Sequence, residues 1–408
     1  MSGEPYRLRK LGEVLTYARR AVVPEADRTY NLIGVRWYAA GTHLHDTIDG
    51  SKLQAPTLWQ VREGDIIYNK MWTSKGAFAI VSKETSNLLG TSEYPTFEPT
   101  SHVSAEFLRY AFQQNRFWQL AEAWTNGTTE RARLSPRDFL RLPLHLPPIA
   151  EQRAIAEVLG AVEEAIAKTQ ALIEATSRAL NSTLEWVLEP TKTSVPIVSL
   201  GEVIKSTKYG TSAKCDDDRS GFPVLRIPNV LSGGINQSDL KYAKISQLEA
   251  AKFTLQNGDL LAVRTNGNPE YVGRMALING LPKGTLYASY LIRIRVDLTK
   301  VLPEFVWLCS ETFPLRDSLT AAARTSAGNF NINSDGVRSA RMPLPSLSVQ
   351  KRIVEAAETL RARRTGELAY LDQLRETHAA LAQELLSGRL RLPESIIARH
   401  RDKSGQAA

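Results

Sequence analysis

The sequence predicts two mixed α/β (α+β) globular domains in tandem, separated by two long helices that pair as an antiparallel coiled coil. Three observations lead to this prediction. The chain has 408 residues, which is enough for two or three domains. Short segments recur in the same order in both halves, and each half ends in a long stretch with apolar residues at helical spacing. Together they predict a pseudo-two-fold internal repeat.

The repeat is seen in four pairs of short segments whose offset grows slowly from 189 to 198 residues. A shared order at nearly constant spacing is improbable by chance, so we interpret it as a duplicated module. The paired segments are 11–14 and 200–203, 64–67 and 258–261, 107–108 and 305–306, and 146–155 and 344–353.

Turn-rich sequence forms the first part of each half, and we predict globular domains at 1–147 and 195–343. Short alternating runs at 65–68 and 291–296 predict strands between glycine and proline turns. Helical stretches at 107–120 and 303–310 make each domain a mixed α/β unit.

The first long helix is predicted at 148–190. Pro147 and Pro148 suit its first turn, Glu151 is favourable to the helix dipole there, and Pro190 ends it. Apolar or small residues recur at three- and four-residue steps, as in a coiled-coil seam. They are Ile155, Leu159, Val162, Ile166, Thr169, Ile173, Thr176, Leu180, Leu184 and Val187.

The second long helix is predicted at 344–388, followed by a polar tail at 389–408 that is expected to fray from Pro393 onwards. Its start lacks the paired proline and the glutamate of the first helix. Gly366 lies in a stretch that interrupts the apolar pattern, and it costs about 1 kcal/mol relative to alanine, so we expect a local kink. The seam residues are Ile353, Ala357, Leu360, Leu368, Leu371, Leu374, His378, Leu381 and Leu385.

Pairing of the two helices is expected because one amphipathic helix of about 40 residues cannot bury its apolar stripe alone. Paired antiparallel, the helices would place one globular domain at each end of a rod. The alternative is that each helix packs onto its own domain.

Charge and composition indicate the setting. Lys and Arg total 51 against 43 Asp and Glu, a net charge of +8, which suits a polyanionic partner such as DNA but also simple solubility. Cys215 and Cys309 are isolated, so neither a zinc site nor a disulfide framework is predicted. Without a signal peptide or an apolar run of about 18 residues, a cytoplasmic protein with no membrane association is expected.

Several segments carry a family resemblance that covers nearly the whole chain. Segments 142–156 and 385–391 resemble the start of the first central helix and the end of the second in the specificity subunit of type I restriction-modification systems. Segments 68–72 with 75–81, and 264–274, resemble parts of its target recognition domains, and 127–129 with 133–134 resemble the loop before its first proline-rich helix start. The chain departs from the family pattern at 346–350.

The resemblance implies a non-catalytic DNA-recognition subunit. In this family, two target recognition domains each read one half of a bipartite site, and the central helices set the gap and dock two methyltransferase subunits. A separate motor-nuclease restriction subunit cleaves. No cofactor is then expected in this chain, because S-adenosylmethionine, ATP and Mg²⁺ belong to the partners. Since the two domains differ between the repeated landmarks, we expect two different half-sites and an asymmetric target.

Contacts to double-stranded DNA are predicted in loops that follow equivalent strands, where cations suit phosphates and planar polar groups suit base edges. Solvated turns are the alternative explanation of these loops. In the first domain the candidates are Asn69, Lys70, Trp72, Lys75, Arg131 and Arg133. In the second they are Arg264, Thr265, Asn266, Asn268 and Arg274, with a further basic–aromatic cluster of Lys205, Lys208 and Tyr209.

The sequence favours neither a metal site nor a catalytic activity. His43 and His45 have no further metal ligand nearby, and 216–218 is interpreted as a solvated acidic loop. A self-contained methyltransferase or nuclease is less favoured, because the sequence has no dinucleotide loop, P-loop, Asn-Pro-Pro-aromatic tetrapeptide or carboxylate–lysine cluster. A specificity subunit of a modification-only or other phage-defence methyltransferase complex stays open.

Overall fold

The computed structural model describes residues 6–127, 132–188, 195–231, 234–312, 314–326 and 328–401. The chain divides into two compact units, the first formed by 1–170 with 370–408 and the second by 171–369. In the residues described, no helix combines the length and apolarity that crossing a membrane requires. Arg131 lies outside the described residues.

The first unit contains three sheets and the first part of a 40-residue helix. Its strands are β1 Arg7–Lys10, β2 Leu15–Tyr17, β3 Ala21–Val22, β4 Thr29–Val35, β5 Thr42–Asp49, β6 Leu58–Gln60, β7 Ile66–Tyr68, β8 Phe78–Ile80, β9 Leu89–Gly90, β10 Thr96–Pro99 and β11 Pro143–Leu146. Its helices are α1 Ala105–Phe112, α2 Asn115–Ala123, α3 Pro136–Phe139 and the long α4, Ile149–Leu188.

A four-stranded sheet in the order β2-β10-β7-β8 forms the centre of the first unit. A two-stranded sheet, β1-β11, and a five-stranded sheet, β3-β6-β9-β4-β5, complete it. Tyr68, Phe97 and Phe139 stack in the core, with Tyr68 and Phe139 ring centroids 4.5 Å apart. Burial of such large rings dominates the energetics of a core.

The second unit has a matching set of elements. Its strands are β12 Ile197–Ser199, β13 Ile204–Tyr209, β14 Cys215–Asp216, β15 Phe222–Leu225, β16 Lys241–Ala243, β17 Leu260–Val263, β18 Thr265–Asn266, β19 Met275–Leu277, β20 Leu286–Tyr287, β21 Leu291–Val296, β22 Arg324–Ser326, β23 Asn329–Asn331 and β24 Arg341–Pro343. The helices that follow α4 are α5 Ile227–Val230, α6 Gln247–Ala250, α7 Pro303–Ser310, α8 Leu315–Ala321, α9 Ser334–Ser339, the long α10, Leu347–Ser387, and α11, Glu394–Ile397, which belongs to the first unit.

The central sheets of the two units have equivalent strand orders, which confirms the predicted internal repeat. The second unit's sheet runs β13-β21-β17-β19, and its two-stranded sheet is β12-β24. The outer sheets differ, since the second unit has a four-stranded sheet β14-β16-β15-β20 and a three-stranded sheet β18-β23-β22 among its described residues. The module is therefore duplicated in its framework and divergent around it.

A repeated glycine–aspartate pair fixes the turn before β7 and β17. Gly64 and Gly258 have φ values of +84° and +85°, a conformation that favours glycine. The buried Asp65 carboxylate accepts a hydrogen bond from the Arg62 amide at 2.8 Å, and Asp259 does the same from Gln256 at 2.9 Å. Their cationic partners come from different strands and loops in the two units, Arg20 and Arg295 respectively.

A buried glutamine clamps the first turn of each long helix to its own globular domain. The Gln152 side chain accepts from the Ser104 amide at 2.9 Å, and donates to the His102 and Pro147 carbonyls at 3.2 and 2.9 Å. The oxygen and the nitrogen of this side-chain amide therefore both have hydrogen-bond partners.

Gln350 repeats this arrangement 198 residues later, although the sequence around it departs from the first copy. It accepts from the Leu302 amide at 2.9 Å and donates to the Lys300 and Pro345 carbonyls at 3.0 and 2.8 Å. Each partner also stands 198 positions after its counterpart. The missing proline and glutamate thus do not displace the start of the second helix.

Antiparallel pairing of α4 and α10 is directly visible in the first unit. Ile155 and Leu159 of α4 share one apolar cluster with Ala382, Leu385 and Leu386 of α10. Towards the middle of α4, the Glu163 carboxylate lies 3.7 Å from the His378 ring nitrogen. Successive positions on α4 therefore meet earlier positions on α10, which confirms the predicted pairing.

Packing of a helix start onto its own domain also occurs. In the second unit, Ile353, Val354 and Ala357 are buried in the domain core, with Leu360 packed against it. The predicted seam is incorrect at one position, because Leu368 remains 41% exposed. The side chains of Leu180, Leu184 and Val187 lie outside the described set.

The predicted interruption at Gly366 does not end the helix, since α10 is continuous from Leu347 to Ser387. A Cβ added at Gly366 would meet open space. We therefore expect Gly366→Ala to raise the free energy of unfolding by up to about 1 kcal/mol, because alanine has the higher helix propensity. Urea unfolding followed by circular dichroism measures this.

Gly388 supplies the matched control for that substitution. It ends α10 with φ +75°, and an added Cβ would stand 3.0 Å from the Tyr6 ring. Gly388→Ala should therefore lower stability, as expected for a left-handed helix C-terminus. Destabilisation by Gly366→Ala would contradict the account of α10.

The segment after α10 packs against the rest of the first unit just before the predicted frayed stretch, 393–408, of which 402–408 lie outside the described residues. Arg391 donates two hydrogen bonds of 2.6 Å to the buried Glu151 carboxylate, and its guanidinium lies 4.9 Å from the Tyr6 ring centroid. Leu392 packs against the first unit's core. The segment is ordered because a buried carboxylate requires a cationic partner.

Candidate nucleic-acid interface

One end of the first unit gathers the loops that contain the predicted DNA contacts. The loop 69–77 follows β7, and the loop 91–95 precedes the neighbouring β10. The Lys70 carbonyl accepts from Leu134, and the Lys70 amide donates to Glu93. These bonds bring Leu134 and both loops to the same edge of the sheet.

The predicted residues of this loop have different roles. Asn69 is buried, and its side-chain oxygen accepts from the Met71 amide at 2.9 Å, so it shapes the turn. Lys75 is exposed and Lys70 is half-buried. Arg133 is exposed and pairs with Glu93 at 3.2 Å. Lys75 and Arg133 are therefore the side chains best placed to meet phosphates.

Two aromatic residues that the sequence reasoning missed lie at this end of the unit, Trp37 against Trp72 and Tyr38 against Trp118. Trp37 and Trp72 ring centroids are 5.5 Å apart, and Tyr38 lies 5.7 Å from Trp118. Trp37 and Tyr38 occupy the turn between β4 and β5. Their sequence signal is an aromatic pair immediately before a small-residue turn, 39–41, which also contains glycine.

The equivalent end of the second unit brings Tyr209 and Arg264 together. The Arg264 guanidinium stands 4.7 Å from the centre of the Tyr209 ring, within the range of a cation–π contact. The Tyr209 hydroxyl accepts from the Ser334 amide at 3.1 Å, and the Arg264 amide donates to the Tyr290 carbonyl. Tyr290 itself is exposed.

Thr265 and Asn266 lie in β18, which pairs with β23. Asn268 caps the short 3₁₀ helix Pro269–Tyr271, because its side chain accepts a hydrogen bond from the Glu270 amide at 3.0 Å. The exposed Arg324 and Asn329 of the β22–β23 hairpin were not predicted. The internal repeat did contain a signal for this hairpin. Arg324 pairs with Asn331, and each stands 198 residues after a member of the Asn126–Arg133 bridge of the first unit.

Three predicted residues of the second unit lie apart from this group. Lys205 lies near the opposite end of β13 from Tyr209, lining a cavity of about 710 Å³ with Asp259 and Asp297. Lys208 is directed at the Phe253 ring, 5.2 Å from its centroid, and Arg274 stacks on Tyr271 at 5.2 Å. The structure does not bring these three side chains into the group formed by Tyr209 and Arg264.

A buried tyrosine supports the end of β13, where Tyr209 lies. The Tyr287 hydroxyl donates to the Lys208 carbonyl at 3.2 Å. Burial raises the pKa of Tyr287 to about 12, so this hydroxyl keeps its proton at neutral pH.

The metal alternatives find no support in the part of the chain that is described. No group of three or more His, Cys, Asp or Glu there could hold a metal ion. His43 and His45 stand edge to face at 5.9 Å, and burial, with Arg36 and His45, lowers the pKa of His43. The acidic loop is neutralised by lysines, through the Asp217–Lys241 and Asp218–Lys244 ion pairs.

Comparison with known proteins agrees with this geometry. Residues 3–176 match the family model of the type I restriction modification DNA specificity domain. The chain is 29% identical over 268 residues to the specificity subunit of the type I restriction enzyme EcoKI from Escherichia coli K12, covering 61% of this chain and 56% of that relative. It is 25% identical to the StySPI specificity subunit from Salmonella potsdam, over 59% of that protein.

Solved structures share the fold over nearly the whole chain. The HsdS subunit from Thermoanaerobacter tengcongensis has a TM-score of 0.55 at 18% identity, covering 95% of this chain and 97% of that one. A chain solved in work on complex assembly and conformational transition of the type I R-M system has a TM-score of 0.59 at 16% identity, covering 96% and 100%.

The duplicated framework and its divergent loops define a tandem-repeat α/β protein whose two long helices pair within the first unit. Residues 3–176 match the type I restriction modification DNA specificity domain, and the chain is similar to type I restriction enzyme specificity subunits. It spans between half and two thirds of the length of the first two curated relatives that it matches.

Proposed function

We propose that this chain is the DNA-recognition subunit of a type I restriction-modification complex and reads a bipartite, asymmetric DNA target. Each unit contacts one half-site through the loops at the end of its central sheet. The chain performs no catalytic step of its own. It acts on double-stranded DNA in the cytoplasm, where its partners modify or cleave that DNA.

The observation that supports this proposal most strongly is one framework with two different surfaces. The Gln152 and Gln350 clamps and the order of the central sheets repeat between the units. The loops at the sheet ends do not, since the first unit presents tryptophans and the second presents arginine, tyrosine and asparagine. Different side chains read different base edges, so the two half-sites differ in sequence.

The paired helices are the proposed docking surface for two methyltransferase subunits and the element that fixes the gap between half-sites. Restriction motor-nuclease subunits complete the complex. S-adenosylmethionine, ATP and Mg²⁺ bind in those partners and not in this chain. A role in a modification-only complex would use the same DNA surfaces, because the difference lies in the neighbouring proteins.

Selection from a random pool of duplexes tests the proposal. The full chain, assembled with its methyltransferase subunits, should enrich duplexes that carry two short unlike blocks separated by a gap of fixed length and free sequence. The length of the gap follows from rigid spacing, as operator spacing follows from dimer geometry.

A parallel assay separates recognition from catalysis. The pure chain, incubated with S-adenosylmethionine and the enriched duplexes, should transfer no methyl group until the methyltransferase subunits are added. Methyl transfer by the chain alone, or a single uninterrupted block in the selected duplexes, would contradict the proposal.

A further inference from the structure

Exposed apolar side chains of the first unit concentrate at its candidate DNA surface. Trp37 is 46% exposed, Tyr38 60% and Trp72 43%, and Met71 is also exposed. All four lie in two loops, 36–41 and 69–76, that meet at one end of the unit. Large apolar groups clustered on a surface indicate an interaction site, whereas scattered ones need no explanation.

The backbone that presents these side chains is strained. Tyr38 and Ala39 have φ values of +59° and +52°, in the left-handed region that non-glycine residues rarely occupy. Their amides donate to the Lys75 and Gly76 carbonyls, both at 2.7 Å, which holds the two loops together. Such strain costs about 1–3 kcal/mol per residue and persists mainly at functional sites.

Cations surround the aromatic group. Arg36 and Lys75 are exposed beside it, and an Arg133 side-chain nitrogen lies 3.5 Å from the Met71 sulfur. Duplex DNA has anionic phosphates on its outside and apolar base faces inside. Apolar side chains bordered by cations are complementary to both features.

We propose that Trp37 and Trp72 form an aromatic wedge that determines the specificity of the first unit by apolar contact with the base pairs of its half-site. This inference rests on the proposed function and assigns residues within it. The second unit, with Arg264 and Asn266, reads its half-site by polar contacts, so the two units use different recognition chemistry.

The test uses the chain assembled with its methyltransferase subunits and duplexes carrying the selected bipartite sequence. Trp37→Ala and Trp72→Ala should each weaken binding about tenfold or more, a typical effect of losing one aromatic–base contact. Preference among bases should flatten in one half-site and stay unchanged in the other. The salt dependence of binding should also stay unchanged, because no phosphate contact is lost.

Controls distinguish contact from folding. Val23→Ala removes an exposed apolar side chain from another loop and should leave binding unchanged. Trp37→Phe keeps an aromatic ring and should retain most of the affinity, and thermal unfolding followed by circular dichroism should match wild type for every variant. Quenching of tryptophan fluorescence by the duplex should decrease in Trp37→Phe.

Modified duplexes identify the apolar group that is contacted. Thymine-to-uracil replacement in the first half-site removes a methyl group, whereas 2-aminopurine reports a base step that is opened. Wild-type affinity and base preference in folded Trp37→Ala and Trp72→Ala would overturn the wedge while leaving the bipartite target intact. Absence of any bipartite target would instead overturn the proposed function.

Discussion

Gln350→Leu should lower the free energy of unfolding of the second unit by about 3–5 kcal/mol. The substitution removes the amide that pairs the Leu302 N–H with the Lys300 and Pro345 carbonyls, in a position with no solvent exposure. An unsatisfied buried polar group costs about 1–3 kcal/mol, and leucine can satisfy none of the three. Urea unfolding monitored by circular dichroism gives the value.

The equivalent glutamine of the first unit allows a second measurement, and an exposed glutamine of α10 provides a control. Gln152→Leu should destabilise the first unit by a similar amount, because its three hydrogen bonds are equivalent. Gln373→Leu, at an exposed position of α10, should change stability little. A loss below about 1 kcal/mol in both clamp variants would show that the clamps are dispensable.

Gly76→Ala should abolish recognition by the first unit and leave recognition by the second intact. Gly76 has φ +66°, and an added Cβ would stand 2.3 Å from the Trp118 ring, so the loop must move. That movement displaces the Lys75 and Gly76 carbonyls, which hold Tyr38 and Ala39. Duplex selection with the variant should therefore lose one block of the bipartite motif and keep the other.

Gly64→Ala separates displacement of the loop from backbone strain alone. Gly64 has φ +84°, yet nothing lies within 4 Å of an added Cβ. Its variant should be destabilised by roughly 1 kcal/mol but should still select both blocks. Retention of both blocks by Gly76→Ala would mean that the 69–77 loop does not contact DNA.

The duplicated framework was predictable because the residues that determine it are close together in the sequence. The glycine–aspartate turns and the first helical turns depend on residue types with few substitutes, so they recur in recognisable form. Helix pairing followed from apolar spacing. The predicted domain boundaries remain predictions, as do the DNA contacts.

The composition of the candidate surface was only partly predictable. Trp37 precedes Trp72 by more than 30 residues, and the two rings meet where Tyr38 and Ala39 donate to the 69–77 loop. Lys205 was predicted to contact DNA as part of a basic–aromatic cluster with Tyr209, but it lies at the end of the sheet opposite to Arg264. Ordering of the tail through the Arg391–Glu151 pair is likewise a long-range contact.

Mapping of DNA methylation across the host genome, with and without this gene, tests the central claim most directly. Two unlike specificity surfaces on one duplicated framework predict a single motif of two different half-sites, separated by a gap of constant length, whose methylation disappears when the gene is deleted. A motif with inverted identical halves, an uninterrupted motif, or methylation that persists without the gene would contradict the account.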